Sequence, residues 1–419
     1  MSSKSPLKVT DLKNTESTWL QSIRANLLKW FETSRRDLPW RQTQDPYAIW
    51  ISEIMLQQTQ VVTVLPYYFR FLERFPTVHE LATATEGDLL RYWQGLGYYR
   101  RARQMHAAAK QIIDQHGGVF PEDFEDVLAL PGIGRYTAGA ICSFAYDAAT
   151  PIVEANTQRL YARLLAWDKP LVERSSQDKL WKFAADILPD GTGSRTVNYA
   201  TMELGSLVCK PQPDCPNCPV VKLCPTARDG LQASIPAPKA KVVYSDRYEV
   251  ALLLEHLSAK EITNGQNNAP RQYLIRQCGP NEWWTGLWDF PRVEVDLQTF
   301  QSLDLPLFTA KYSTTESFVA ENLADYSKEI AMLFKDRFQL QIKLHGTALR
   351  TIKHSVTRYR IQLRVCSATM TDNKNKKKQP LEVNSIGSTT DQFRWVTLDE
   401  LETLPLSASA RKVCQGMAR

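Results

Sequence analysis

The sequence predicts a multidomain protein in which an all-α domain precedes an α+β domain. Apolar residues recur at helical spacing through residues 19–225, and beyond residue 245 several segments are β-rich or alternate at strand spacing. Four cysteines within residues 209–224 mark the end of the helical part. A chain of 419 residues is long enough to fold as two or three domains with substantial cores.

The first domain is predicted to cover residues 19–228, after an N-terminal tail of residues 1–18. In residues 19–31 the apolar positions fall on one face of a helix. Glycines and prolines separate the helical patterns that follow. These patterns predict helices at residues 47–71, 85–93, 101–116, 136–144, 157–167 and 177–188.

The second domain is predicted to cover residues 245–419, after an extended linker at residues 229–244 that shows no periodicity. Its predicted elements are strands at residues 248–254, 272–276 and 359–365 and a helix at residues 326–338. Residues 371–390 carry a run of lysines and predict a hairpin excursion, which is either a solvated loop or a basic patch that contacts phosphate.

Composition and charge exclude some classes of protein. No apolar run approaches the roughly 20 residues that cross a bilayer, and the N-terminus lacks the apolar core of a secretory signal. The net charge of +6 is compatible with a polyanionic partner without requiring one. We expect a monomer without a membrane partner, in a reducing compartment: the cytoplasm, with nucleoid association if the source is bacterial.

The clustered cysteines predict a metal site. Cys209, Cys215, Cys218 and Cys224 are so close in sequence that one loop brings their thiols together. Four cysteines can hold a tetrahedral zinc ion or a [4Fe–4S] cluster. A zinc ribbon usually carries two Cys-x-x-Cys pairs, whereas this segment has one such pair with a five-residue gap on each side. The spacing favours the cluster, with zinc or no metal as the alternatives.

Three further features could carry chemistry. Gly132 and Gly134 lie between two helical segments and predict a tight hairpin, which either exposes backbone N–H groups to a phosphate or is an ordinary turn. Glu154 stands at a helix start, where a carboxylate can simply cap the helix. Glu53 has apolar neighbours: it is either partly buried, which would raise its pKa and keep it protonated as an acid near neutral pH, or a glutamate on the exposed stripe of its helix.

Taken together, these features resemble the helix-hairpin-helix DNA glycosylase superfamily, and specifically the MutY-type adenine DNA glycosylases. The resemblance runs from about residue 27 to residue 224. The motifs that carry it are Leu38-Pro-Trp-Arg41, Ser52-Glu-Ile-Met-Leu-Gln-Gln-Thr-Gln-Val61, Gly95-Leu-Gly-Tyr-Tyr-Arg-Arg-Ala-Arg103 and Met202-Glu-Leu-Gly205.

The resemblance implies a base-excision repair enzyme that removes adenine paired with 8-oxoguanine or guanine in double-stranded DNA. In this family Glu53 would protonate the flipped adenine, and the hairpin with Gly132 and Gly134 would clamp a phosphate. Gln58 and Tyr98 would contact the vacated stack and the opposite base. Arg41 would belong to the adenine pocket. The cysteine loop would hold a [4Fe–4S] cluster.

The resemblance also implies a monofunctional mechanism. The related endonuclease III enzymes carry a lysine after Gly-x-Gly-Arg that forms a Schiff base with the sugar, whereas this chain has Tyr136 there. Ionised Glu154 would stabilise the oxocarbenium ion, with Tyr136 and Asn156 hydrogen-bonded to it.

The second domain is similar to the Nudix-like domain with which MutY-type enzymes read 8-oxoguanine. The similarity lies in the segment Tyr273-Leu-Ile-Arg276, in Trp284-Thr-Gly-Leu-Trp-Asp-Phe-Pro291 and in the later helix. No glutamate run suited to metal binding follows Pro291, so we expect this domain to read the lesion rather than to hydrolyse a nucleotide.

The sequence departs from the family pattern at four places. Glu154-Ala155-Asn156 replaces Asp-Gly-Asn, and the first cysteine gap is one residue shorter than usual. Tyr199 stands where relatives often place Gln or Glu. Val356-Thr357-Arg358 stands in place of the Phe-Ser-His loop that reads 8-oxoguanine, so the hydroxyl is kept and the aromatic residue is lost. Two alternatives therefore stay open: a mismatch glycosylase that removes thymine or an oxidised pyrimidine, and a noncatalytic lesion-binding protein.

Overall fold

A computed structural model describes residues 9–238, 242–257, 271–303, 316–371 and 392–417. By their internal contacts, Met1–Ala84 and Arg100–Ala240 form one compact unit, and Thr85–Tyr99 and Lys241–Arg419 form a second. Residues 85–99 lie inside the predicted first domain but have their contacts in the second unit. None of the helices in the described ranges is long and apolar enough to cross a membrane.

The first unit is helical, as predicted. Its helices, with α5 of the second unit given in chain order, are α1 (Val9–Ser34), α2 (Pro46–Leu56), α3 (Val61–Arg74), α4 (Val78–Thr83), α5 (Glu86–Trp93), α6 (Arg100–His116), α7 (Phe124–Leu128), α8 (Arg135–Tyr146), α9 (Ala155–Leu164), α10 (Arg174–Asp186), α11 (Ser194–Leu207) and α12 (Pro225–Arg228). Short 3₁₀ turns occur at Pro39–Arg41, Cys215–Asn217 and Val221–Leu223.

The predicted helix at residues 47–71 is wrong in one respect, because the structure divides it into α2 and α3. The break falls at residues 57–60, where Gln58 has a left-handed backbone (φ 57°). A helix cannot continue through that conformation. The break coincides with the polar run Gln57-Gln-Thr-Gln60, which the predicted helix passed over.

The start of α2 is specified locally. Asp45 caps the helix by accepting hydrogen bonds from the backbone N–H groups of Tyr47 and Ala48, and Pro46 occupies the first helical position. Nearly every residue of α2 is buried, and both Trp50 and Ile51 are 0% exposed. The helix that carries Glu53 therefore runs through the core of the first unit.

The second unit contains a seven-stranded sheet within the described residues. The strands are β1 (Ser245–Leu257), β2 (Arg271–Gln277), β3 (Trp288–Asp289), β4 (Arg292–Val295), β5 (Ile342–Val356), β6 (Tyr359–Met370) and β7 (Gln392–Thr397). Their order in the sheet is β3-β2-β1-β6-β5, and in addition β4 pairs with β1 and β7 pairs with β2. Strands β1 and β6 are parallel, and the other pairs are antiparallel.

Helices cover both faces of this sheet. They are α13 (Leu297–Ser302), α14 (Glu316–Phe338), α15 (Leu398–Thr403) and α16 (Ala408–Met417). One face buries Phe334 and Phe338 of α14, and the other buries Ala410 and Val413 of α16. The predicted helix at residues 326–338 is thus the C-terminal part of α14. Most of the predicted excursion at residues 371–390 lies outside the described residues.

Candidate active site

Glu53 lies one turn before the end of α2 and is 3% exposed. Its Oε2 atom accepts a hydrogen bond from the Tyr136 hydroxyl at 2.8 Å. Tyr136 is the second residue of α8, directly after the glycine hairpin. The Tyr136 hydroxyl therefore links the helix that follows the glycine hairpin to the buried acid.

Burial raises the pKa of Glu53 from its ordinary value of 4.5 to about 7. The hydrogen bond from Tyr136 and the charge of Arg41 oppose this rise, whereas the charge of Glu154 adds to it. The apolar surroundings that the sequence indicated do raise the pKa, so Glu53 carries its proton up to neutral pH.

Glu154 is the N-cap of α9. Its Oε1 accepts a hydrogen bond from the Thr157 backbone N–H at 3.0 Å, and the Thr157 hydroxyl accepts one from the Glu154 backbone N–H at 2.8 Å. The Asn156 amide donates to Glu154 Oε2 at 3.3 Å. Burial raises the pKa of Glu154, while the hydrogen bonds from Asn156 and Thr157 and the charge of Arg159 lower it.

One expected hydrogen bond at Glu154 differs from the structure. The Tyr136 hydroxyl donates to Glu53 rather than to Glu154. Asn156 does contact Glu154, as expected. Tyr136 follows a hairpin whose direction depends on tertiary packing, so the sequence could not specify which carboxylate it meets.

The carboxyl groups of Glu53 and Glu154 line the same cavity of about 750 Å³. Tyr136, Asn156 and Gln58 also line it. Two carboxyls with different surroundings, one buried and one half-buried, can divide the roles of acid and anion in the cleavage of a glycosidic bond. The cavity is large enough to admit a purine nucleoside.

A buried ion cluster forms another wall of the cavity. Glu203 on α11 is fully buried and accepts hydrogen bonds from the guanidinium groups of Arg36 (2.8 and 2.9 Å) and Arg41 (2.7 Å). Burial alone would raise the pKa of Glu203, but these hydrogen bonds outweigh it and lower the pKa to about 2. Arg41 lies over the Tyr199 ring at 5.2 Å, and that ring stacks on Phe144.

Glu203 and Arg36 were missed as site residues. Glu203 belongs to a motif that the sequence singled out, but its partners lie more than 160 positions away in the chain. The available signal was its place in the motif Met202-Glu-Leu-Gly205.

The glycine hairpin has the geometry of a tight turn. Gly132 has a φ of 79°, and a Cβ atom there would lie 2.6 Å from the Cβ of Gln104. Gly134 is the N-cap of α8, and the space beside its Cα is open. The turn thus leads into the N-terminus of a twelve-residue helix, where backbone N–H groups can bind an anion.

The comparisons with known proteins agree with this geometry. Residues 51–185 match the HhH-GPD superfamily base excision DNA repair protein model, and residues 266–416 match a NUDIX domain model. An adenine DNA glycosylase of Buchnera aphidicola is 35% identical over 280 residues, which span 66% of this chain and 76% of that protein. This chain belongs to the adenine DNA glycosylase family.

A second family member, the adenine DNA glycosylase of Mus musculus, is 36% identical over 315 residues, 66% of this chain. The match spans 61% of the length of that mouse protein. A solved structure of a thermostable thymine-DNA glycosylase aligns with 51% of this chain at 28% identity and a TM-score of 0.48. Membership of the family rests on the sequence relatives.

The four cysteines of this family member line one small cavity, together with Arg163 of α9. Burial, together with the charges of the neighbouring thiols, raises the pKa of Cys218 to about 12. Within the described residues, no three His, Cys, Asp or Glu side chains are arranged around a point that could hold a single metal ion.

Two arginines of α9 brace the cysteine loop. The Arg163 guanidinium donates to the backbone carbonyls of Lys210 and Pro211 and, beyond the loop, to those of Gln232 and Ile235. The first residues of the predicted linker are therefore bound to the first unit. Arg159 donates to the Cys209 carbonyl at 2.7 Å and to the Asn156 side chain at 2.9 Å. Hydrogen bonds thus connect the cysteine loop to the residue that contacts Glu154.

The remaining residues with an expected role in DNA binding lie on turns with left-handed backbone. Gln58 (φ 57°) is in the loop between α2 and α3, and Tyr98 (φ 46°) is a half-exposed residue of the second unit. Thr357 (φ 52°) and Arg358 form the tip of the hairpin between β5 and β6, where both are exposed. The Arg358 guanidinium donates to the Tyr359 hydroxyl at 3.2 Å.

Proposed function

We propose that this chain hydrolyses the N-glycosidic bond of adenine mispaired with 8-oxoguanine or guanine in double-stranded DNA. One observation carries the proposal: two carboxylic acids, the buried Glu53 and the half-buried Glu154, line one cavity of nucleoside size. Membership of the adenine DNA glycosylase family supports adenine as the base. The base must leave the duplex to reach this cavity, since its reactive atoms are covered within the stack.

Glu53 acts as the general acid. Its neutral carboxyl transfers a proton to a ring nitrogen of adenine, and the bond between C1′ and the base then breaks with its electron pair leaving on the base. Tyr136 donates to Oε2 of Glu53 at 2.8 Å, and we place the acidic proton on Oε1. Tyr136 also occupies the position at which a lyase would carry its lysine, which supports a monofunctional hydrolase.

Glu154 stabilises the positive charge that develops on the sugar. The developing cation favours the ionised form of Glu154, which the hydrogen bonds from Asn156 and Thr157 hold in place. The anion acts electrostatically or through a covalent adduct with C1′ that water later opens. Water then supplies the hydroxyl group at C1′ and returns its proton to Glu53, which leaves an abasic site and restores the acid.

The DNA contacts are assigned from the hairpin and the left-handed turns. Backbone N–H groups after Gly132 and Gly134 bind a phosphate, Gln58 and Tyr98 contact the opened stack and the opposite base, and Arg41 lines the adenine pocket. In the second unit, Thr357 and Arg358 at the tip of the β5–β6 hairpin read 8-oxoguanine.

The cofactor that we propose is a [4Fe–4S] cluster held by Cys209, Cys215, Cys218 and Cys224. A cubane binds each thiolate at a different iron, so it needs four thiols around a cavity rather than around one atom. The four cysteines meet that requirement. Bound by these four cysteines, such a cluster would hold the loop, with Lys210 and Lys222, in place for DNA contact. Such a cluster fits a reducing compartment, in a bacterium the cytoplasm near the nucleoid.

A panel of duplexes tests the function. Purified protein is incubated with duplexes that carry A:8-oxoguanine, A:G, T:G, oxidised pyrimidine:G or A:T pairs, followed by alkaline cleavage and detection of the free base. The proposal predicts release of adenine opposite 8-oxoguanine and guanine, with A:T intact. Release of thymine or oxidised pyrimidine instead would indicate a different base preference. Tight binding to the A:8-oxoguanine duplex without any free base would indicate a noncatalytic lesion-binding protein.

A further inference from the structure

Arg101 has an unusual set of partners for a residue outside the cavity. It is the second residue of α6 and is 9% exposed. Its Nη1 atom donates to the backbone carbonyls of Ile54 (2.7 Å), Met55 (3.1 Å) and Gln57 (2.6 Å). Its Nη2 atom lies 3.4 Å from the Thr59 hydroxyl. One guanidinium therefore holds both the end of α2 and the loop that follows it.

The C-terminal end of α2 needs hydrogen-bond donors from another part of the chain. The last carbonyls of a helix have no N–H groups within the helix, and they form its negative end. The last turn of α2 contains no basic side chain of its own. The left-handed turn at Gln58 directs the chain away from the helix axis. Arg101 supplies from α6 both the hydrogen bonds and the positive charge that the end of α2 lacks.

The segment held in this way carries two residues of the proposed mechanism. Glu53 directly precedes Ile54, and Gln58 lies between Gln57 and Thr59, so the partners of Arg101 flank both residues. Glu53 and Gln58 also line the same cavity. A shift of the backbone of residues 54–59 would displace both Glu53, the acid, and Gln58, the residue that contacts the opened stack. A displacement of about 1 Å can cost on the order of a hundredfold in rate.

We infer that Arg101 is a positioning residue that fixes Gln58 relative to Glu53 and thereby sets how readily the base is extruded into the cavity. This inference rests on the proposed function. A lysine cannot replace the arginine, because an ammonium group at the end of a flexible chain lacks the planar fork that reaches several acceptors at once. Arg101→Lys therefore retains the charge and loses the geometry.

The test measures base extrusion separately from cleavage. In a Glu53→Gln background, which we expect to bind without cleaving, the target adenine is replaced by 2-aminopurine opposite 8-oxoguanine, and its fluorescence rises when it leaves the stack. Arg101→Lys should reduce that rise at saturating protein. In the active background, the same substitution should lower the single-turnover rate of adenine release by about tenfold or more.

Arg24→Lys is the matched control. Arg24 also holds the end of a helix, with hydrogen bonds to the carbonyls of Ile187 (2.8 Å) and Leu188 (2.7 Å) after α10. These partners are absent from the lining of the cavity. Arg24→Lys should leave extrusion and rate unchanged. Equal losses in both variants would overturn the inference, since they would reflect a general loosening of the fold.

A double-mutant cycle with Gln58→Ala decides whether Arg101 acts through Gln58. The inference predicts that Arg101→Lys adds little to the extrusion defect of Gln58→Ala. Additive defects, or a normal fluorescence rise in Arg101→Lys alone, would overturn it. If Arg101→Lys does not unfold cooperatively, Arg101→Gln replaces it under the same criteria. A wild-type protein that releases no adenine would instead refute the proposed function.

Discussion

At the residue scale, the chemistry depends on the proton of Glu53. With a pKa of about 7, the acid is protonated below neutral pH and ionises above it. We expect the single-turnover rate of adenine release to be nearly constant below pH 7 and to fall about tenfold per pH unit well above it. A rate profile from pH 5 to pH 9 on an A:8-oxoguanine duplex measures this, and a rate that rises above pH 7 would contradict it.

The same pKa has a consequence for stability. The folded protein binds the Glu53 proton more tightly than the unfolded chain, so the free energy of unfolding falls as pH rises from the ordinary pKa of 4.5 to about 7. The loss amounts to at most about 3 kcal/mol. Glu53→Gln removes this titration, so the variant should be more stable than wild type at pH 8 and similar at pH 4. Denaturant melts at the two pH values check this.

One substitution separates the two roles of Glu154, which caps α9 and supplies the negative charge for catalysis. Glu154→Gln keeps an oxygen that accepts from the Thr157 N–H, so its melting temperature should stay close to wild type. Its base-release rate should fall by about a hundredfold or more, because the stabilising charge is lost. Glu154→Ala serves as the comparison and should lose both properties. Full activity in Glu154→Gln would leave Glu154 only its capping role.

At the scale of elements, the hairpin before α8 makes opposite predictions for its two glycines. Gly132→Ala places a Cβ in a left-handed conformation and against Gln104, so the fold should lose about 1–3 kcal/mol. Gly134→Ala meets open space, and its cost should stay below about 1 kcal/mol. That added methyl group nevertheless stands where a phosphate would approach, so duplex affinity should fall. Unchanged affinity in Gly134→Ala would argue against the phosphate clamp.

Elements also show how far the sequence could be read. Periodicity predicted the helical unit and the later strands because each burial pattern is local to its element. The prediction passed over the break at residues 57–60, although a polar run interrupts the apolar residues there. The partner of Tyr136 and the pairing of Glu203 with Arg36 and Arg41 were out of reach for another reason: each contact joins residues distant in the chain. Glu53 could be named because its neighbours in sequence are apolar, whereas the role of Glu154 came from the family resemblance.

At the scale of the whole molecule, the cysteine loop ties distant segments of the first unit together. The Trp19 indole N–H donates to the Leu223 carbonyl at 2.9 Å, and α9 supplies Arg159 and Arg163 to the same loop. We expect about four irons per chain and a visible charge-transfer band. Cys218→Ser should lose iron and lower the melting temperature, whereas Cys142→Ser, at a buried cysteine outside the loop, should retain iron. Zinc in place of iron would contradict the cluster.

The central claim is that a neutral carboxyl and an anion act on opposite sides of one bond inside a single cavity. It is tested most directly by single-turnover release of adenine from an A:8-oxoguanine duplex, measured for wild type, Glu53→Gln and Glu154→Gln at pH 7. We predict release by the wild type, none above background for Glu53→Gln, and a loss of about a hundredfold or more for Glu154→Gln, with duplex binding retained in both variants. Release by Glu53→Gln at the wild-type rate would contradict the account.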